Sequence, residues 1–221
     1  MIGGERKMEE KKMSKQLLFS ILGVAVLIVA VAGSAYAYYV ASVQNANTVK
    51  GEAGGGAAPT LTVTNVTTSA TGKLIPIDMD ATTLTTAAKG SGNSGTTFDA
   101  TKACIDKNKY SVCQIYSVTL KNNSANAMSF NIGVTALSGT NTPNIDVVKM
   151  ASNVSVTDAK SIKTSTAGIA SAVSIAAGAT SPTYYIMVLI KNQNAAQTDN
   201  GAFTGTITAT STTGAQVKAE F

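Results

Sequence analysis

The chain has 221 residues, carries a formal net charge of +5 and contains no histidine, and only 13% of its residues are charged. The missing histidine removes the commonest general base and the usual zinc ligand, so we expect no enzyme activity and no cofactor. Beyond residue 37 the lysines are scattered and form no basic patch, which argues against nucleic acid as a partner. Low charge and many small and β-branched residues instead favour an all-β domain outside the cytoplasm.

The N-terminal segment has the three parts of a secretory signal peptide: basic residues first, an uncharged apolar core over 17–32, and then small residues. Ala35 and Ala37 fit the small-residue positions before a signal-peptidase cut, so we place the cut after Ala37 and assign residues 1–37 to the signal. The alternative is an uncleaved membrane helix over 17–41, which is long enough to span a bilayer.

Composition divides the chain beyond the predicted cut into three parts. Residues 38–50 carry no charge before Lys50 and have the pattern of an extended segment. Residues 51–60 are rich in glycine, which is typical of a flexible linker. Residues 61–221 are long enough to form one domain with a sizeable core.

Short segments of this domain show the period of two that is expected of half-buried strands. The clearest is 128–137, whose alternating apolar residues are Met128, Phe130, Ile132, Val134 and Ala136. Segment 184–190 is apolar on both faces, which predicts a central strand covered on both sides. The other predicted strands are 61–66, 74–79, 112–120, 145–150, 154–156, 203–209 and 217–221, with 167–177 as a strand or loop. This series of about seven to nine strands predicts a single β-sandwich of the jelly-roll or immunoglobulin-like type.

The chain contains two cysteines, Cys104 and Cys113. In an exported domain, an even number of cysteines close in sequence predicts an intrachain disulfide. The residues between them resemble a turn, and a redox-active pair is not expected because the C-x-x-C spacing is absent. The alternative is a pair of reduced thiols.

Asp78 and Asp80 are two carboxylates close in sequence, and strand spacing would place both on one face. We interpret them as a solvated strand edge rather than a catalytic pair. Their oxygens would also suit calcium, but we assign no metal site.

Three asparagines begin N-x-S/T triplets, the acceptor pattern for N-linked glycans: Asn65, Asn122 and Asn153. Such triplets also arise by chance in a chain rich in Thr and Asn. Whether any of them carries a glycan depends on the organism.

The segment GSAYAYYVASVQNANTVKGEAG and the strand that follows it resemble the N-terminal region of the TasA–camelysin family of exported fibre proteins. Related subunits form archaeal bundling pili and threads. In this resemblance Ala37 precedes the cut, and Tyr38 or Tyr39 is the aromatic residue that follows it. Two features depart from the family pattern: the Asp that often follows the aromatic is absent, and the Gly-rich insert is longer.

The resemblance implies a filament subunit that donates its N-terminal strand, residues 38–50, to the incomplete sandwich of the next subunit. The donor residues would be Tyr38, Tyr39, Val40, Ala41 and Val43. The partners would be identical subunits, with lateral bundling between neighbouring filaments and membrane contact only during export. The location would be extracellular, at the cell surface.

Two alternatives to a filament subunit with a cleaved signal assign another role to the apolar segment 17–41. A monomeric surface domain would keep 17–41 as a membrane anchor. A type IV-like pilin would keep it as an assembly helix. Such pilins carry a small residue immediately before the run and often a Glu just inside it, whereas here Lys15 precedes Gln16 and no Glu follows inside the run. Camelysin-type relatives have also been called metalloproteases, but this chain lacks an H-E-x-x-H motif.

Overall fold

The computed structural model describes residues 49–50, 58–70, 73–139, 144–193 and 203–221. These contain nine strands and one helix. The strands are β1 (Val49–Lys50), β2 (Thr60–Asn65), β3 (Cys113–Lys121), β4 (Met128–Gly139), β5 (Ile145–Met150), β6 (Ala170–Ile175), β7 (Tyr184–Ile190), β8 (Phe203–Ser211) and β9 (Gln216–Glu220). The helix, α1, is Ala81–Lys89. The predicted signal of residues 1–37, with Ala35 and Ala37, and the donor residues before Val49 lie outside the described residues.

The strands form two antiparallel sheets, a five-stranded one in the order β1-β2-β3-β7-β5 and a four-stranded one in the order β6-β4-β8-β9. Apolar side chains from both sheets meet in one core. Its fully buried members include Leu61, Val118, Leu120 and Ile186 from the five-stranded sheet and Phe130, Ile132 and Ile207 from the four-stranded one. The predicted all-β sandwich is therefore confirmed.

A second apolar cluster covers the outer face of the five-stranded sheet. It joins Leu84 and Ala88 of α1 to Ile115 of β3 and to Met187 and Leu189 of β7, all fully buried. Strand β7 lies between β3 and β5 and buries side chains on both faces. This confirms the prediction of a central strand covered on both sides.

Asp80 was predicted to lie on a solvated strand edge, but it stands directly before helix α1. The Asp80 carboxylate accepts hydrogen bonds from the backbone N–H groups of Thr82 and Thr83 at 3.0 and 2.9 Å, and so caps the helix. The strand predicted over 74–79 is wrong, because only Leu74 and Ile77 make isolated bridges and Pro76 lies between them. Asp78 and Asp80 therefore do not share one face of a strand.

Strand β4 departs from simple alternation at two positions. Its register against β8 shifts between Val134 and Ala136, and this bulge leaves Ala136 exposed although the pattern predicted it to be buried. Gly133 was expected on the wet face, but it is buried beneath the backbone of 165–167. The strand predicted over 154–156 is also wrong, because Ser155 makes only an isolated bridge to Ser152.

None of the helices in the described ranges combines the length and hydrophobicity that a membrane crossing requires.

Candidate assembly surface

The last two residues of the predicted donor segment lie on an edge of the five-stranded sheet. Val49 and Lys50 form β1, which pairs antiparallel with β2 through Val49 opposite Leu61 and Lys50 opposite Thr60. For these two residues the segment adds a strand to its own domain. Tyr38, Tyr39, Val40, Ala41 and Val43 lie outside the described residues.

The backbone of β2 presents alternate residues to this edge. The N–H of Val66 donates to the carbonyl of Ile115 on β3 at 2.9 Å. Because hydrogen-bonded and non-hydrogen-bonded pairs alternate in an antiparallel ladder, Leu61, Val63 and Asn65 direct their backbone groups away from β3. Within the described ranges, β1 pairs with Leu61 and no strand pairs with Val63 or Asn65 on that side.

The predicted disulfide between Cys104 and Cys113 is present, and both cysteines are fully buried. It closes a loop in which the Asp106 carboxylate accepts from the backbone N–H groups of Asn108 and Tyr110, at 2.9 and 2.8 Å. The N–H of Cys104 also donates to the carbonyl of Ala87 at 2.9 Å, which ties the loop to α1. A disulfide of this kind is typical of an oxidising environment.

A surface cavity of about 670 Å³ lies between α1 and the disulfide loop. Its lining is mainly apolar and includes Ile77, Thr83, Ala87, Ile105 and Val112, with Asp106 and Lys107 from the loop. This volume is in the range of small-molecule sites. The described part of the cavity wall offers no cluster of reactive side chains with which to assign a ligand class.

The two carboxylates singled out in the sequence serve local structure. Asp78 accepts a hydrogen bond from the Asn192 side-chain amide at 2.9 Å, and Asp80 caps α1. Hydrogen bonds from Thr83, and a weaker one from Thr82, lower the pKa of Asp80 below its ordinary value. Across the described ranges, no three His, Cys, Asp or Glu side chains come together as a metal site would need.

The three predicted glycan acceptors differ in accessibility. Asn65 is exposed at the end of β2, and Asn153 is half-buried in a turn. Asn122 is only 1% exposed, and its side-chain amide donates to the carbonyls of Asn126, Ile175 and Ala176. A glycan on Asn122 is therefore incompatible with this folded structure, whereas the predictions for Asn65 and Asn153 stay open.

Sequence patterns missed a half-buried ion pair beside β5, whose carboxylate is buried. Asp146 is 5% exposed, and its carboxylate lies 4.0 Å from the ammonium of Lys163, which also donates to the carbonyl of Ile145 at 3.1 Å. The two residues are 17 positions apart in the sequence, so no local motif connects them. The pair joins β5 to the segment that precedes β6 and has a structural role.

The chain matches no protein-family model, and no curated protein matches it. Among solved structures it is similar to a FixG-related protein from Vibrio parahaemolyticus, with 10% identity, a TM-score of 0.29, and coverage of 49% of this chain and 74% of that one. It is also similar to a family 123 glycoside hydrolase from Clostridium perfringens, with 12% identity, the same TM-score, and coverage of 49% of this chain and 20% of that one. Likenesses this weak carry no functional argument.

Proposed function

We propose that this protein is the structural subunit of an extracellular filament, polymerising head-to-tail as each subunit donates its N-terminal strand to the sandwich of the next. The main observation in support of this proposal is that β1, the end of the predicted donor segment, pairs as a strand with the edge of β2. A sheet edge with outward-facing backbone groups accepts an added strand through main-chain hydrogen bonds. A contact of this kind that does not close on itself produces a filament.

The sequence features agree with this proposal. The segment before Lys50 is uncharged and begins with Tyr38 and Tyr39 at the predicted cut, and the 51–60 region is rich in glycine. An apolar segment on a flexible spacer can reach a neighbouring subunit without constraining how its own domain is placed. The disulfide fits assembly outside the cytoplasm, in an oxidising environment.

The test compares two purified chains, one starting at Tyr38 and one starting at Gly51. We expect filaments in electron micrographs from the longer chain only, because the shorter one lacks the donor strand. N-terminal sequencing of the natural filament should begin at Tyr38. An intact 17–41 helix would support the anchored monomer, and a start at Gln16 would support the pilin. Filaments from the chain that starts at Gly51 would contradict the proposal.

A peptide of residues 38–50 should bind the chain that starts at Gly51 and stabilise it. At a peptide concentration of about 100 times Kd, linkage gives about 2.7 kcal/mol. At about 2–4 °C per kcal/mol for a domain of this size, the expected rise in Tm is about 5–10 °C. A peptide carrying Ala41→Asp and Val43→Asp should lose this effect, whereas Ser42→Asp with Gln44→Asp, on the opposite face, should largely keep it. Equal effects of the two peptides would argue against strand addition.

A further inference from the structure

We propose that β2 is the edge that accepts the N-terminal segment of a second copy of this chain, and that this segment binds in a different register from the chain's own β1. The inference rests on the proposed function and adds the accepting edge and the register. Among the described residues the two sheets have four outer edges, formed by β2 with its short partner β1, and by β5, β6 and β9. The structure distinguishes these edges by how each is covered or protected.

The β5 edge is covered by the chain's own backbone. The N–H of Ile162 donates to the carbonyl of Val147 at 2.8 Å, and Ser161 forms a bridge with Val148. These contacts lie on the side of β5 away from β7, so the middle of this edge already has a partner. An incoming strand would first have to displace the segment around Ser161.

The β6 edge is short and distorted. The register of β6 against β4 shifts between Phe130 and Ile132, and Ala172 adopts a left-handed φ of 48°. A bulge of this kind bends the strand and interrupts the regular spacing of its backbone groups, a common way to protect an edge. A second strand could not follow β6 with continuous pairing.

The β9 edge is regular but carries charge. The N–H of Ser211 donates to the carbonyl of Ala215, and Gly205 and Phe221 exchange both backbone hydrogen bonds. Because hydrogen-bonded and non-hydrogen-bonded pairs alternate along the β8–β9 ladder, the backbone groups of Gln216, Lys218 and Glu220 point away from β8. The side chains of these three residues are also exposed, and charged side chains along an edge oppose strand addition.

Strand β2 itself has neither a bulge nor a charged residue. Its sequence, TLTVTN, contains no charged residue, and β1 is paired with only its first two residues in the described structure. The backbone groups of Val63 and Asn65 point to the open side. Val49 and Lys50 of the predicted donor segment already lie on this edge, with Val49 opposite Leu61.

The sequence before β1 favours a shifted register for the incoming strand. Continuing the pairing of β1 would set Asn47 opposite Val63, beside the buried face formed by Leu61 and Val63. A shift of six positions sets Val43 opposite Leu61 and Ala41 opposite Val63. An even shift keeps odd-numbered residues on the core face, so Val43 takes the place of Val49 and Ala41 takes the place of Asn47.

The experiment traps this register with cysteines in the full chain, exported from an expression host and collected outside the cells. In the shifted register Ser42 lies opposite Thr62, whose backbone groups point to β3 and not to the edge. Such non-hydrogen-bonded pairs have Cα atoms about 4.5 Å apart, within the disulfide range. The native Cys104 and Cys113 are buried and already joined, so they should not interfere.

Ser42→Cys with Thr62→Cys should give filaments whose subunits form a covalent ladder on non-reducing gels after mild oxidation. The matched control, Ser42→Cys with Lys218→Cys on β9, should give filaments that dissolve into monomers on the same gel. A ladder from the control pair, or filaments without a ladder from the first pair, would overturn the choice of β2 and leave the proposed function standing. A cross-linked monomer from the first pair would show that the chain's own segment occupies the edge, and this too would overturn the inference. Failure of the unsubstituted chain to form any filament would overturn the proposed function, and the inference with it.

Discussion

Replacing Asn122 with Ala should destabilise the domain by about 3 kcal/mol. The Asn122 side-chain amide donates to three carbonyls: those of Asn126, Ile175 and Ala176, at 2.8, 3.0 and 3.2 Å. Its side-chain oxygen accepts from the backbone N–H and the hydroxyl of Ser124, at 3.0 and 2.8 Å. The residue therefore joins the end of β3, the turn before β4 and the end of β6.

The magnitude follows from which of these partners water can reach. The hydrogen bond to Ile175 is buried, so its loss should cost about 1–3 kcal/mol. The carbonyl of Asn126 keeps a hydrogen bond from the Ser124 hydroxyl, and the bond to Ala176 is only partly buried. The Ala176 carbonyl and the freed backbone N–H of Ser124 should add about 0.5–1.5 kcal/mol. The sum is about 3 kcal/mol, or a fall in Tm of about 6–12 °C.

Urea unfolding measures this change as a lower midpoint with an unchanged slope. Asn126→Ala is the matched control: its side chain is exposed in the same turn, so the change should stay within about 0.5 kcal/mol. Asn122→Asp keeps the size but places a carboxylate against carbonyl oxygens, so it should destabilise more than Ala at neutral pH. A loss below about 1 kcal/mol for Asn122→Ala, or an Asp variant as stable as the natural chain, would refute the stabilising role of these buried hydrogen bonds.

Three further predictions concern the same domain. Gly133→Ala should destabilise it by about 1–3 kcal/mol in urea unfolding, because the new Cβ would collide with the backbone that crosses the strand. Cys104→Ser with Cys113→Ser should cost about 2–3 kcal/mol, since the closed loop is short. Because the folded pKa of Asp80 is lowered, its contribution to stability is complete well above the ordinary pKa of 3.8 and is lost as the pH falls through the folded pKa. Asp80→Asn should therefore reduce the acid dependence of Tm.

Each of these has a control or a contradicting result. Gly95→Ala meets no backbone closer than 3.8 Å and should change the midpoint by less than about 0.5 kcal/mol, so a similar loss at both glycines would argue against a collision. Two free thiols in the denatured, non-reduced protein would contradict the disulfide. Parallel Tm-versus-pH curves for the natural chain and Asp80→Asn would contradict the role of that carboxylate.

Strands were predictable where apolar and polar residues alternate in step with the pleat of the backbone. Where the predictions failed, the cause is a local feature of the chain. Alternation correctly predicted the buried residues of β4 as far as Val134. A bulge beyond Val134 then leaves Ala136 exposed, and an extra residue in a strand cannot be recognised from the alternating pattern. Helix α1 was missed because its threonines favour strands. Asp80 as N-cap, apolar residues spaced by four, and Lys89 before Gly90 were available as helix signals.

The polar residue on the apolar face of β3 has a structural explanation. Gln114 donates its side-chain amide to the carbonyl of Ala70 at 3.2 Å and accepts from the hydroxyl of Tyr116 at 2.8 Å. Burial raises the pKa of Tyr116 to about 12. The partners are not adjacent in sequence, so alternation could identify Gln114 as an exception but not its hydrogen bonds.

The accepting edge could not be read from the sequence, because it depends on which strands are outermost. Only the sheet order places β2 and β9 at edges, and only the hydrogen-bond alternation shows which backbone groups face outward. The residues that separate the two edges are then visible in the sequence: Lys218 and Glu220 on β9, and none on β2.

If β2 receives a second copy's segment, the chain's own β1 competes with assembly. A tethered strand acts at an effective concentration near 1 mM, which favours the chain's own segment by about 4 kcal/mol over a partner strand present at about 1 μM. The shifted register offsets part of this, because Ala41 instead of Asn47 stands opposite Val63 and the Asn47 amide stays in water, worth about 1–3 kcal/mol. Asn47→Val should remove this gain, so the monomer should melt at a higher temperature and filaments should grow more slowly in light scattering. Thr48→Val, on the opposite face, should leave the growth rate nearly unchanged. Filament growth as fast with Asn47→Val as with the natural chain would show that β1 does not compete for this edge.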